Sequence, residues 1–321
     1  MVPLFILISL AILVTTALWG IITNTFIVVI NIKLWAQNKT PTSCDQILLT
    51  QAVFSFCFQC TNAANDFLLL LWSKLYFSDQ VFPVIYVLLL FTIFSSFWFT
   101  VCLCAFYCVS IVTFQQPLMF LIKARLPKLV PWLLLWSVLL SLFTSVPAAW
   151  NIQREGAATA VDNFTTEVSA LPKLSKQYLL MSSTLGCCLP LLFVGMFNLL
   201  IIYSLCAHSM RMQRGSMVGF STPRLGASIG AARMVTALLF LYIFFYTSEI
   251  LLILKTFAAI SPWFCLCLFV IYAYSPLQSI ILICGSPKLR RETLGILKGW
   301  RLVQRGHSGS QLVESLVVQT H

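Results

Sequence analysis

Residues 82–111 read FPVIYVLLLFTIFSSFWFTVCLCAFYCVSI, without one charged side chain. As an α-helix this run extends about 45 Å, more than the roughly 30 Å of a bilayer's hydrocarbon core. It lies within an uncharged stretch that continues to Lys123. An apolar face all round has no use on the surface of a soluble fold, and in lipid only a helix or a closed barrel satisfies the backbone. Residues 82–111 are therefore a transmembrane helix.

Working outward from it, six more segments have the same character: Leu4–Ile32, Gln46–Trp72, Leu129–Trp150, Gln177–Ala207, Ala232–Leu254 and Trp263–Cys284. The fold class is an all-α membrane protein, a bundle of seven transmembrane helices. Asp66 interrupts the second span and Glu249 sits in the sixth. The first run is read as a span rather than a signal peptide: MVP supplies no basic n-region, the run is too long for an h-region, and no small-residue cleavage site closes it. Composition agrees, with 60% hydrophobic and 9% charged residues, the latter about a third of the usual soluble share.

The net charge of +11 does not point to nucleic acid, because the basic residues are scattered between apolar runs. Alternate loops divide them unequally. Lys33, Lys39, Lys123, Arg125, Lys128, Arg211, Arg214, Arg224, Arg233 and the six after Cys284 fall on one side; Lys74, Arg154, Lys173, Lys176 and Lys255 fall on the other. The positive-inside rule puts the larger set in the cytoplasm, with the amino terminus outside and the tail inside. Residues 1–284 form the bundle and 285–321 the tail. In KLRRETLGILKGWRLV (288–303) apolar and basic residues alternate at near-helical spacing, as in an amphipathic helix on the inner leaflet, with Cys284 a candidate palmitate site.

Ten of the twelve cysteines lie within apolar runs, where packing explains them better than disulfides or zinc. His208, His307 and His321 fall at the cytoplasmic edge or in the tail, without metal spacing or a nucleophile beside them, so neither an enzyme nor a cofactor is expected.

Several stretches, taken jointly over nearly the whole chain, resemble the type 2 taste receptors, the bitter-sensing G-protein-coupled receptors. They are GIITNTFI (20–27), DQILL (45–49), CLCAFYCVSIVTFQQPLMFLIKARL (102–126), KLVPWLLLWSVL (128–139), LIIYSLCAHSM (200–210) and SPLQSIILICGSPKLRR (275–291). Ser204, Leu205 and His208 match the family's Ser-Leu-x-x-His signature. The sequence departs from the pattern at Ser55, where the family carries arginine, at Gln278, where it carries histidine, and at SIGAAR (228–233), where it carries a His-x-Lys-Ala-Leu run. Rhodopsin-like Asp-Arg-Tyr and Asn-Pro-x-x-Tyr motifs are missing, and loop 151–176 has no cysteine for a disulfide to span three. The resemblance implies small-molecule bitter ligands and a gustducin-like heterotrimeric G protein as partners, beside membrane lipids and no nucleic acid. Homo- and hetero-oligomers are both compatible with it. The alternatives are a vomeronasal type 1-like chemosensory receptor and, behind it, a small transporter or channel subunit, which would need a polar path through the bilayer.

Gln59, Asn62 and Asp66 recur at helical spacing and make the outer half of span two polar. Intramembrane acids either line a cavity or bond to neighbouring helices, and the sequence leaves both readings open for Asp66 and Glu249. Two acids without a nearby base point to cationic ligands. The resemblance implies contacts in the outer part of span three and the facing part of span seven. Candidate ligand residues are Asn62, Asn65 and Asp66; Leu89, Thr92, Ile93 and Ser96; Tyr178 and Met181; Tyr242, Phe245, Tyr246 and Glu249; and Leu268, Ile271 and Tyr272. For G-protein coupling they are Tyr107, Lys123, Arg125, His208, Arg211 and Lys288, although a basic rim also serves simply to fix topology. Pro117, Pro127 and Pro131 are expected to bound a short ordered turn. Asn163-Phe-Thr165 is a glycosylation sequon in the longest outer loop; Asn38-Lys-Thr40 matches too but faces the cytoplasm.

Overall fold

A computed structural model describes residues 4–37, 42–112, 117–154, 172–214, 223–254, 256, 261–296 and 298. In chain order its elements are α1 (Leu4–Ala36), α2 (Ser43–Leu71), α3 (Ser73–Tyr76), α4 (Val81–Ile111) and α5 (Pro117–Ser145), which runs into a 3-10 turn at Val146–Trp150. Two short antiparallel strands follow, β1 (Ile152–Arg154) and β2 (Pro172–Leu174). Next come α6 (Lys176–Ser183), a π-turn (Thr184–Cys188), α7 (Leu189–Arg214), α8 (Pro223–Ile253) and α9 (Pro262–Gly285), and after Ser286 a further helix, α10 (287–296).

Seven helical stretches are long and apolar enough to cross a membrane: Ala11–Ala36, Ser43–Leu71, Val81–Ile111, Lys123–Trp150, Lys176–Ala207, Ser228–Leu252 and Pro262–Gly285. Each overlaps one expected from sequence. The fifth is composite, with α6 joined to α7 through the π-turn. Helix starts follow local chemistry. Thr42 and Asp45 form a capping box on α2, and the Ser175 and Ser261 side chains accept from the first-turn amides of Tyr178 and Phe264.

The helix that decided the fold is also its centre: α4 packs against α2, α5, α7 and α8. Of its crossing window 61% is buried, against 22% for α1 at the periphery. Helix α9 packs on both α8 and α1, so the bundle closes on itself. Lipid tails give no hydrophobic drive between helices, and close packing with interhelical polar contacts must hold them. Asn24 of α1 donates to Ser275 at 3.1 Å and accepts from Ser279 at 2.7 Å, both on α9. Bulky apolar side chains such as Trp132, Trp136 and Phe143 of α5 remain exposed around the outside.

One expectation is corrected. Pro117, Pro127 and Pro131 do not bound a turn: α5 begins at Pro117, and the other two lie inside it. Pro117 opens a helix where no intrahelical N–H is needed. Pro127 and Pro131 are exposed, and membrane helices tolerate proline where neighbouring groups or local adjustments of the helix re-satisfy the freed backbone groups. The sequon at Asn163, the Asn38 sequon and the tail beyond residue 298 lie outside the described residues.

All twelve cysteines are free thiols; Cys102, Cys104, Cys108, Cys187 and Cys267 are buried packers. Lys123, Arg125 and Lys288 mark one end of the bundle as its basic end. At the far end Trp72, Trp150 and Trp263 are exposed, as in an aromatic belt at a membrane interface.

Candidate ligand site among the helices

The far half of the bundle is filled by aromatic rings. Phe97 of α4, fully buried, has Tyr242 at 4.1 Å between ring centroids, Phe245 at 5.3 Å edge-on and Tyr274 at 5.6 Å edge-on. Phe245 and Tyr274 meet at 4.7 Å. Phe58, Ile93, Phe94 and Cys187 complete this cluster, with Leu89, Tyr246 and Ile271 packed at its edge. Offset and edge-on ring pairs of this kind contribute about 0.5–1.5 kcal/mol each beyond area burial.

The π-turn sets the cluster's shape. Its extra residue per turn brings Gly186 so close to Phe94 that a Cβ there would fall 2.5 Å from the ring. It also frees the Cys187 carbonyl, which accepts from the Tyr242 hydroxyl at 2.5 Å.

Toward mid-depth the aromatic cluster passes into a polar hub on Gln278. Ser55 of α2 donates to Gln278 Oε1 at 3.0 Å, Ser96 of α4 lies at 3.3 Å, and Gln278 Nε2 donates to the Tyr274 hydroxyl at 3.0 Å. Ser55 and Gln278, 223 positions apart, are thus bonded to each other across α2 and α9.

At the far end Asp66 accepts from the Tyr272 hydroxyl and, at 3.2 Å, from the Asn65 amide; Tyr76 donates to Asn65 Oδ1 at 2.7 Å. Burial and the neighbouring Asp66 carboxylate push the Tyr76 hydroxyl's pKa up. Two amides close by are buried with unused groups, Asn62 Nδ2 and Gln59 Oε1. Glu249 has the Cys187 thiol at 3.9 Å.

Of the predicted ligand residues, Ile93, Tyr242 and Phe245 thus lie in the aromatic cluster and Leu89, Tyr246 and Ile271 line it. Ser96 belongs to the Gln278 hub. Asn65, Asp66 and Tyr272 form the polar group, beside buried Asn62. Thr92 is buried with its hydroxyl turned back onto the Leu88 and Leu89 carbonyls, and Leu268 is half-buried. Two are not brought to the cluster. Tyr178 donates to the Thr144 carbonyl at 2.6 Å and so ties α6 to the end of α5, while Met181 is 64% exposed on the outside.

The basic end is held differently. Lys288 Nζ lies 2.6 Å from Asp45 Oδ2, the Cys44 thiol contacts the Tyr107 hydroxyl at 3.3 Å, and Lys123 donates to the Ser110 carbonyl at 3.1 Å. Leu289 of α10 is buried in a cluster with Met234, Leu282 and Leu34. Arg125 is exposed, and His208 and Arg211 fall in the final turns of α7.

Two clefts lie apart from the cluster. One of about 260 Å³, between Phe77, Phe82, Pro83, Ala149 and Ile152, opens at the far end, and a shallow apolar groove of about 720 Å³ runs along α7 and α8 by Gly195 and Tyr203. Among the described residues no group of three or more His, Cys, Asp or Glu side chains is placed to hold a metal.

Sequence reasoning missed Phe94, Phe97, Tyr274 and Gly186. In an all-apolar helix no periodicity marks the inner face, so the two phenylalanines carried no signal. Gly186 did carry one, as a small residue beside two cysteines in an otherwise bulky run.

Seven helices long and apolar enough to cross a membrane, tied together by interhelical polar contacts, define a multi-pass seven-helix membrane bundle. Comparison with known proteins takes this one step further. The family model for taste receptor protein (TAS2R) matches residues 1–301. Taste receptor type 2 member 40 of Gallus gallus is 29% identical over 305 residues, covering 92% of this chain and 96% of that protein. Member 39 of Macaca mulatta is 30% identical over 292 residues (90% and 86%), and member 7 of Papio hamadryas 31% over 288 (87% and 89%). The chain belongs to the type 2 taste receptor family, bitter taste receptors and not enzymes.

Proposed function

We propose that the protein binds small, bitter organic compounds among the far halves of its helices, which face the outside, and passes the signal through its basic end to a gustducin-like heterotrimeric G protein in the cytoplasm. The observation that carries this reading is Tyr274. Its ring belongs to the aromatic cluster and its hydroxyl to the Gln278 hub, which ties α9 to α2 and α4. A compound that displaces those rings bears directly on the contacts among the three helices. Such a ligand shifts the population of bundle states by its differential affinity for them. An apolar, aromatic wall with few hydrogen-bonding groups suits varied ligands of modest affinity.

Orientation follows from the basic excess, with the amino terminus outside, Asn163 glycosylated and α10 on the inner leaflet. Calcium imaging of cells co-expressing a taste-type G protein, challenged with a bitter-compound panel, tests the function. A response lost on Phe245→Ala and Ile93→Ala is expected; silence across the panel despite surface expression overturns it. Glycan on Asn38 with none on Asn163 overturns the orientation.

A further inference from the structure

We infer that Glu249 is the anchor for ligands that carry a protonated or quaternary amine, and that Asp66, the other acid in the far half of the spans, is not. The inference rests on the ligand-receptor reading above and adds the chemical class the site selects.

The two acids lie at similar depth in the far half of the bundle, and a carboxylate there is costly unless it is partnered. Asp66 is partnered: Tyr272 and Asn65 both donate to it, and Tyr76 holds Asn65 in place. Its oxygens are occupied in binding α2 to α9. Glu249 differs. Among the described residues its hydrogen-bond partner is the Cys187 thiol, a weak donor at 3.9 Å.

The hydroxyls that might have served Glu249 are committed elsewhere. Tyr242 donates to the Cys187 carbonyl, and Tyr246 is engaged with Cys188 and Ser183. Phe245 and Tyr246 stand four and three residues before Glu249 on α8, on the same helix face, and Tyr242 meets the Cys187 that contacts the carboxylate, so aromatic side chains neighbour it. A carboxylate without a cation, neighboured by aromatic side chains, is the chemistry that recognises an ammonium group, by charge and by ring quadrupole. The π-turn supplies the geometry, because it turns Cys187 toward α8 and commits Tyr242 to a backbone carbonyl. A divalent metal would want several hard or thiolate ligands converging on one point, and the described residues present no such set.

Thermal unfolding of the purified full chain in lipid nanodiscs tests this, with quaternary ammonium probes of graded bulk from tetramethylammonium to denatonium and a panel of uncharged bitter compounds. The bulkier cations are expected to raise the wild-type melting temperature saturably. Their midpoint should move at least tenfold in Glu249→Gln, less in Glu249→Asp, and within threefold in Asp66→Asn, while uncharged compounds act alike on wild type and Glu249→Gln. An unchanged cation midpoint in Glu249→Gln, or a larger change in Asp66→Asn, overturns the inference. Stabilisation by uncharged compounds alone overturns it and leaves the ligand-receptor reading standing; no effect from either panel overturns both.

Discussion

The two ends of the bundle treat a carboxylate in different ways. At the basic end Asp45 serves two partners at once: it completes the Thr42 capping box, and it meets Lys288 at 2.6 Å, which fastens α10 beneath α2. At the far half Asn62 Nδ2 and Gln59 Oε1 are buried without partners among the described residues, and Glu249 has little more than a thiol. An unmade hydrogen bond in a buried site costs about 1–3 kcal/mol. Gln51 Oε1 and Asn198 Nδ2, nearer the basic end, are also buried and unpaired among the described residues, so what sets the far half apart is a carboxylate without a cation. The difference teaches which end is built to receive something. Groups already satisfied hold a shape, whereas groups left unsatisfied gain most from a ligand.

The comparison breaks most severely where the far half has no slack. Gly186→Val would place a Cβ 2.5 Å from the Phe94 ring, which is itself 2% exposed and cannot swing away. Overpacking of this kind costs about 1–3 kcal/mol, read as lost surface expression and a lower melting temperature, and Phe94→Ala in the same chain should recover part of it. An unaltered Gly186→Val protein would mean that the π-turn is not rigid. The basic end should yield next. Lys288→Met leaves Asp45, with a side chain 7% exposed, without its cation. Because the lysine is partly exposed, the cost is set at about 1 kcal/mol, toward the lower end for charged pairs. On the proposed function, a freed α10 also raises ligand-independent signalling in the calcium assay. Basal signalling equal to wild type would show that the ion pair is no latch.

How far the sequence foretells these ends follows from the same physics. The seven crossings were legible because the bilayer demands length and apolarity from each segment alone, whatever its neighbours do. The polar face of α2 was legible for a related reason: Asn62 and Asp66 stand out against an apolar background. The bond between Ser55 and Gln278 was not legible, since they lie 223 positions apart and each looked like a separate loss from the family pattern. Nor could sequence tell Asp66 from Glu249. Both are acids at similar depth, and only the neighbours on α9 and on the π-turn separate them. The prolines of α5 misled because proline reads as a helix boundary, whereas a membrane helix accommodates it when neighbouring groups or a local adjustment of the helix re-satisfy the freed backbone groups.

A smaller effect sharpens the contrast from the far side. Asn62→Leu removes an amide whose Nδ2 is buried and unpartnered, so the ligand-free protein should become more stable by about 1 kcal/mol. The same substitution should weaken responses to ligands that offer a hydrogen-bond acceptor there. Differential scanning fluorimetry beside dose–response curves reads both, and the two must move in opposite directions. A variant that loses stability would show that Asn62 is already satisfied, and the asymmetry between the ends would shrink accordingly.

The smallest effect concerns the hub that joins the ends. Interhelical hydrogen bonds in membranes average about 0.6 kcal/mol, because the separated helices find other partners. Ser55→Ala and Gln278→Leu each remove a member of the α2–α9 bond, but they are not equal. Gln278 also holds Ser96 and Tyr274, whereas the Ser55 hydroxyl has Gln278 as its acceptor. The Gln278 variant should therefore cost more than the Ser55 variant, and a double-mutant cycle should return a coupling near 0.6 kcal/mol. Coupling close to zero would make the two departures from the family pattern independent. A clear coupling would make them one exchange, in which a serine and a glutamine together hold α2 to α9 without a charge.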